Sequence, residues 1–106
     1  MLSFDDFKKM DIGIANILEV NDHPDADKLY LIKIKFAEEE REIVAGIKPY
    51  YTKEELVGKQ VVVLLNIVPA TIRGVESNGM LLAAKDGNII SALTVDKPVN
   101  CGAKVS

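Results

Sequence analysis

Apolar and polar residues alternate along most of the chain, and this two-residue period is typical of β-strands with one buried face. Between Met10 and Val20 most apolar side chains fall on even positions, which predicts a strand whose even residues point inward. From Leu29 to Phe36 the same period places four large side chains on one face, namely Tyr30, Ile32, Ile34 and Phe36. Shorter apolar segments predict further strands at residues 41–45, 60–66, 79–84 and 89–95.

Helix signals interrupt this strand pattern at two places. Ser3, Asp5 and Asp6 are candidate N-caps for a short helix near the start of the chain. Thr52, followed three residues later by Glu55, fits a capping box, and Gly58 is suited to end that helix in a left-handed conformation. Five or six short strands, with one helix between the third and the fourth, predict an all-β fold of the five-stranded OB-barrel type. A small β-sandwich also fits the pattern.

Composition restricts the class of protein further. The 106 residues fit a single domain, and the lone Cys101 excludes an internal disulfide or a cysteine-based zinc cluster. The longest apolar run, Val61 to Leu65, is far shorter than a membrane helix, and the N-terminus lacks a signal-peptide pattern, so we expect a cytoplasmic protein. Because the net charge is −3, any nucleic-acid site must be a local patch of positive charge on an acidic protein.

The segment from Asn66 to Gly79 carries the most informative polar chemistry in the chain. It lies between two apolar strands, and a loop of this length in a small domain usually binds a ligand or is mobile. Arg73 offers a planar fork suited to phosphate, whereas Asn66 and Ser77 offer neutral hydrogen-bonding groups. The residues alone support equally a binding loop and a surface loop whose polar side chains satisfy their own backbone.

Charge is unevenly distributed in the first third of the chain. Residues 1–27 contain two lysines and seven acids, whereas residues 28–36 contain Lys28, Lys33 and Lys35 and no acid. Such a positive patch on an acidic protein would orient a polyanion instead of holding it indiscriminately. The barrel therefore predicts that Lys33 and Lys35 lie beside the segment that carries Arg73.

Three motifs stand out in the chain: the specific Asn66-x-x-Pro69-x-x-x-Arg73-Gly74-Val75-x-Ser77-x-Gly79-Met80, and the individually weaker His23-Pro24-x-Ala26-Asp27-Lys28-Leu29 and Glu54-Glu55-Leu56-x-Gly58-Lys59-x-Val61. Together they resemble the motifs of the tRNA-binding domain family, which includes the C-terminal domain of bacterial methionyl-tRNA synthetases, free-standing tRNA-binding proteins and the endothelial monocyte-activating polypeptide domain. The resemblance runs from about Phe4 to the end of the chain. It departs at Gly13, where the family usually carries an arginine.

The resemblance implies one domain over residues 1–106, an OB barrel with a C-terminal β extension that binds the folded outer corner of tRNA. The residues implied in tRNA contact, with their electrostatic support, are Asn66, Arg73, Ser77, Met80, Lys28, Lys33 and Lys35. It also implies a homodimer, for which the strand-rich tail offers an edge. The function implied is that of a separate β-type subunit or accessory domain that lends tRNA affinity to a methionyl-tRNA synthetase.

Other chemistry is less well supported by the sequence. The chain lacks a phosphate-binding Gly-rich loop, zinc-ligand spacing and a nucleophile elbow, so we expect a non-catalytic module without cofactor or metal. His23 among its aspartates is more typical of a capped turn than of a metal site. Tyr50 and Tyr51 are suited to stack on a base, although packing is the commoner role. Two other functions remain open: a small dimeric export-type chaperone that binds unfolded polypeptide, and a structural assembly domain.

Overall fold

The computed structural model describes residues 1–106 and contains two short helices and nine strands. The helices are α1 (Phe4–Lys8) and α2 (Lys53–Leu56). The strands are β1 (Ile12–Asp22), β2 (Tyr30–Phe36), β3 (Glu39–Ala45), β4 (Gln60–Leu64), β5 (Ala70–Ile72), β6 (Val75–Ser77), β7 (Met80–Leu81), β8 (Ala83–Asp86) and β9 (Ile89–Ala92). Neither helix has the length and apolar character needed to cross a lipid bilayer.

Five strands form one antiparallel sheet in the order β3-β2-β1-β4-β7. The sheet curls because the long β1 pairs with β4 along its first half and with β2 along its second half. The end of β6 closes the barrel against β3. There the Val44 N–H donates to the Ser77 hydroxyl at 2.9 Å, and the Asn78 N–H donates to the Glu42 carbonyl at 3.0 Å. The predicted five-stranded OB-type barrel is confirmed.

A C-terminal β extension packs beside β4. Its hairpin of β8 and β9 turns at Gly87, which has a φ of 58°, as the Asp-Gly pair in the sequence predicts. Backbone hydrogen bonds join the base of the hairpin to β4. The Val62 N–H donates to the Leu93 carbonyl at 3.2 Å, and the Leu82 N–H donates to the Val62 carbonyl at 3.0 Å. The extension that the family resemblance implies is therefore present.

The core fills the interior of the barrel with aliphatic side chains. Tyr30, Ile32 and Ile34 are buried and Phe36 packs against them, which confirms the predicted inward face of β2. Leu56 is fully buried, so α2 lies across one end of the barrel. The 14 residues of the core cluster are Ala15, Ile17, Val20, Tyr30, Ile32, Ile34, Ile43, Ala45, Ile47, Leu56, Val61, Val63, Leu65 and Ala92.

The predicted facing of β1 is wrong for the first half of the strand. Ala15 and Ile17, both at odd positions, face the core in the first half of the strand. In the second half the even-numbered Val20 faces the core, as predicted. A β-bulge just after Ile17 adds one residue, and this reverses the parity that points inward. Ile14 is buried on the opposite face by the C-terminal segment, where its N–H donates to the Ala103 carbonyl at 2.8 Å.

Both helices begin at the N-caps that the sequence predicts. The Asp6 N–H donates to the Ser3 hydroxyl at 3.1 Å, and the Glu55 N–H donates to the Thr52 hydroxyl at 3.2 Å. The Thr52 N–H in turn donates to the Glu55 carboxylate at 2.8 Å, which holds the pKa of Glu55 below its usual value. Gly58 follows α2 with a φ of 86°. Local sequence therefore sets both ends of α2.

Candidate nucleic-acid interface

The segment from Asn66 to Gly79, expected to be a loop, contains a β-hairpin. Strands β5 and β6 pair as far as Ile72 and Val75, so Arg73 and Gly74 form the two-residue tip. Both tip residues have positive φ, 51° for Arg73 and 88° for Gly74, as two-residue hairpin turns require. A positive φ is uncommon for a residue with a side chain, and such conformations concentrate at ligand sites. The hairpin thus presents Arg73 at its exposed tip.

The loop between β1 and β2 lies against this hairpin and is fastened to it by His23. The imidazole is buried; its Nδ1 accepts from the Asp25 N–H at 3.0 Å, and its Nε2 lies 3.0 Å from the Ile72 carbonyl oxygen. Because a carbonyl oxygen only accepts, these partners assign the neutral tautomer with the proton on Nε2. Both ring nitrogens are therefore occupied, and His23 acts as a structural link between the two loops.

Arg73 and Lys28 meet in a cleft between the hairpin tip and the β1–β2 loop. The Arg73 guanidinium donates to the Asp25 carbonyl at 3.0 Å, and both side chains line an open cleft of about 430 Å³. Asp25 and Asp27 also line the cleft, but the ion pairs of the protein include neither Arg73 nor Lys28. We call this surface the cationic cleft. Its two positive charges are available to an anionic ligand.

Lys33 and Lys35 do not line this cleft, and the positive edge that they were expected to form stays a prediction. Lys33 lies between Glu19 and Glu42 on the neighbouring strands, so two carboxylates share its face of the sheet. Lys35 is the cross-strand partner of Glu40 and lies near the far end of β2. At a rise of about 3.3 Å per residue it is roughly 17 Å along the strand from the end that meets the cationic cleft.

Two further candidates have structural partners inside the protein. The Asn66 side chain accepts from the Asp11 N–H at 2.8 Å and donates to the Lys9 carbonyl at 2.7 Å, which fastens α1 to the end of β4. Ser77 is 4% exposed; besides accepting from β3, its hydroxyl donates to the Gly79 carbonyl at 3.0 Å. The hydroxyl's one proton is already donated inside the protein, and burial keeps its oxygen from an external ligand. Ser77 therefore holds the hairpin in place and does not face solvent.

Met80 is accessible, and its side chain offers an apolar contact instead of a hydrogen bond. It lies on β7 opposite Leu64, and 43% of the residue is exposed. Ile67 and Val68, in the connection that follows β4, are also exposed. The side chains near the end of β4 therefore present apolar surface next to the polar hairpin.

A charge cluster that the linear pattern did not reveal lies on the other side of the β1–β2 loop. The carboxylate of Asp22 pairs with both Lys48 and Lys53, each at 3.1 Å. Hydrogen bonds from these two lysines hold the pKa of Asp22 below its usual value. The partners are distant in sequence and meet only because the connection from β3 to α2 folds back against the end of β1.

Comparisons with known proteins agree with this architecture. The family model described as "Putative tRNA binding domain" matches residues 12–104. The methionine–tRNA ligase of Thermococcus kodakarensis is 51% identical over 104 residues, which are 98% of this chain and 14% of that protein. The methionine–tRNA ligase of Thermotoga maritima is 50% identical over 105 residues, 99% of this chain and 17% of that protein. The chain thus spans less than a fifth of these relatives.

Solved structures with the same fold include proteins close to this one in size. A MetRS related protein from Pyrococcus horikoshii superposes with a TM-score of 0.93 at 31% identity, covering 100% of this chain and 98% of that chain. The CsaA chaperone protein from Picrophilus torridus superposes with a TM-score of 0.92 at 32% identity, and both chains are covered completely. The protein therefore belongs to the tRNA-binding domain family and is related to a segment of methionine–tRNA ligases.

Proposed function

We propose that this chain is a structure-specific, largely sequence-independent tRNA-binding module that raises the tRNA affinity of a methionine–tRNA ligase, as a separate subunit or accessory domain. The observation that carries the proposal is the cationic cleft, in which Arg73 and Lys28 lie together and neither is held in an ion pair, although two aspartates also line the cleft. Structured RNA is recognised mostly through its shape and phosphates, which suits a rigid hairpin tip beside a fixed loop. The named relatives support the identity of the ligand.

The charge distribution explains how an acidic protein would bind a polyanion selectively. The net charge of −3 disfavours indiscriminate binding, and the cleft places two cationic side chains that form no ion pair at one place. Few phosphate contacts give a weak site with a shallow salt dependence. Such a site becomes effective when it is tethered to an enzyme that binds the same tRNA, because the second contact is then intramolecular. The module acts in the cytoplasm by binding alone and requires no cofactor.

Substitution of Arg73 tests this proposal directly. We choose Arg73→Gly because glycine adopts the positive φ of the tip without strain. We expect the affinity for labelled tRNA, measured by fluorescence anisotropy, to fall about tenfold and the slope of log K against log salt to decrease by roughly one. Lys97→Ala removes an exposed charge outside the cleft and serves as the control. Absence of wild-type binding at low salt would refute the tRNA-binding proposal.

The homodimer that the family resemblance implies is part of the same proposal. The hairpin of β8 and β9 supports it, because Ile89 is 62% exposed and Leu93 is 41% exposed beside it. Light scattering at micromolar concentration is expected to give twice the chain mass of 11.6 kDa. Ile89→Lys should shift this mass toward the monomer, because burial of a lysine in an apolar interface is unfavourable. A monomeric wild-type protein would contradict the proposal.

A second candidate function is that of a chaperone that receives unfolded polypeptide. It is favoured by the CsaA chaperone among the structural relatives and by the exposed apolar side chains of Val68 and Met80. If this function is correct, the wild type should suppress the aggregation of an unfolded test protein, and Arg73→Gly should suppress it to the same extent. Suppression without tRNA binding would replace the first proposal with this one.

A further inference from the structure

Tyr50 is an aromatic side chain that the fold leaves without an internal role. Of the three tyrosines, Tyr30 donates its hydroxyl to the Tyr51 carbonyl at 2.7 Å, and the Tyr51 hydroxyl accepts from the Ala92 N–H at 3.0 Å. Both residues therefore belong to the core and its contacts. Tyr50 is 43% exposed, and its hydroxyl has no hydrogen-bonding partner in the protein. The ring is available to a ligand.

The backbone under Tyr50 is fixed. The Tyr50 and Tyr51 N–H groups donate to the Ile47 carbonyl at 2.9 and 3.1 Å, which forms a tight turn immediately before α2. Pro49 precedes Tyr50 and further restricts this turn. The ring is therefore presented by a rigid turn, and little conformational freedom would be lost when a flat ligand packs on it.

The charges around Tyr50 balance one another. An open depression of about 460 Å³ is lined by Tyr50 together with Lys48, Lys53 and Glu54. Both lysines are engaged by the Asp22 carboxylate, each at 3.1 Å. The two positive charges are therefore offset by Asp22 and Glu54, and the exposed aromatic face is the group left to recognise a ligand.

This depression and the cationic cleft share one loop. Asp22, which holds the two lysines, is followed directly by His23, which is fastened to the hairpin below Arg73. Asp25, two residues further, accepts from Arg73. One short loop thus connects a surface with two cationic side chains outside any ion pair to a surface with an exposed aromatic ring.

We propose that Tyr50 is a stacking platform for an unpaired nucleobase of a structured RNA whose phosphates lie in the cationic cleft. The inference deepens the proposed tRNA-binding function and rests on it. Proteins commonly bind unstacked RNA bases on aromatic rings beside phosphate-binding groups, and stacking tolerates any base because every base has an aromatic face. The neutral depression would supply stacking, and the cationic cleft would supply the salt-dependent attraction.

The first experiment compares three variants in tRNA-binding titrations over a range of salt concentrations. Tyr50→Ala is expected to weaken binding about tenfold while the salt slope stays unchanged, because it removes stacking and no charge. Tyr50→Phe is expected to bind like the wild type, because the lost hydroxyl has no partner in the protein. Arg73→Gly is expected to change both affinity and slope. These different signatures separate the stacking site from the phosphate site.

The second experiment uses a spectroscopic probe. The chain contains no tryptophan, so Tyr50→Trp introduces a single indole whose fluorescence should be quenched when tRNA is added. Phe4→Trp places the same probe on α1, at the other end of β1, and should not be quenched. One outcome would overturn the stacking site alone. In that outcome the wild type binds tRNA and Arg73→Gly weakens the binding, but Tyr50→Ala loses no affinity and Tyr50→Trp is not quenched. Absence of wild-type binding would overturn both proposals.

Discussion

Gly13→Ala is expected to lower the free energy of unfolding by about 1–3 kcal/mol, the cost typical of inserting a methyl group into a filled space. A Cβ at Gly13 would lie 2.2 Å from Cε2 and 2.9 Å from Cζ of the Phe36 ring. Gly13 is also held on its other side, where it pairs with Lys104 of the C-terminal segment. Urea unfolding followed by circular dichroism measures the loss.

Two further variants test the cause of this loss. In Gly46→Ala the new Cβ meets only a Leu29 methyl at 3.6 Å, an ordinary contact, so the stability should stay within about 0.5 kcal/mol of the wild type. Adding Phe36→Leu to Gly13→Ala should recover part of the loss, since the ring that causes the clash is gone. Unchanged stability in Gly13→Ala would mean that the Phe36 ring moves aside without cost.

The same contact describes what fills the position at which the family resemblance leads one to expect an arginine. There the ring of Phe36 occupies the space beside Gly13, so this backbone leaves no room for a side chain. The two residues are far apart in the chain, and their packing is a consequence of the sheet.

Ser77→Ala is expected to lower the free energy of unfolding by about 1–3 kcal/mol, because it leaves a buried backbone donor unpaired. The Val44 N–H would lose its acceptor at 2.9 Å, and the Gly79 carbonyl would lose a donor at 3.0 Å. Both bonds fasten the β5–β6 hairpin and the start of β7 to β3. Ser91→Ala, which alters an exposed serine on β9, is the control and should be neutral in the same urea titration.

Binding measurements distinguish this structural role of Ser77 from direct contact with RNA. At temperatures where Ser77→Ala is folded, we expect a modest loss of tRNA affinity with an unchanged salt slope, because the hairpin is less well held. A variant with wild-type stability that nevertheless loses tRNA binding would contradict the structural role. It would return Ser77 to the set of contact residues that the family resemblance implies.

The elements predicted best are those encoded by neighbouring residues. The capping box of Thr52 and Glu55, the turn at Gly87 and the inward face of β2 all form as the sequence predicts. Each depends on interactions within a few residues or on an uninterrupted period of two. The OB-type barrel followed from the order of these elements.

The candidate site was predictable only in part. Arg73 and Lys28 do come together, because the hairpin and the β1–β2 loop lie at one end of the barrel. Lys33 does not line the cleft with them, and glutamates from two neighbouring strands share its face of the sheet. Which charges lie together at the surface therefore depends on neighbouring strands and loops that the linear order does not show.

Local sequence patterns are enough to predict the short elements, the order of the strands and, through the motifs, the family. The reversal of the buried face of β1 at a bulge, the burial of Ser77 and the exposure of Tyr50 become visible only in the folded barrel. The physical reason is the range of the interactions. Caps, turns and alternation act between near neighbours, whereas burial and charge balance depend on residues that only the closed barrel brings into contact.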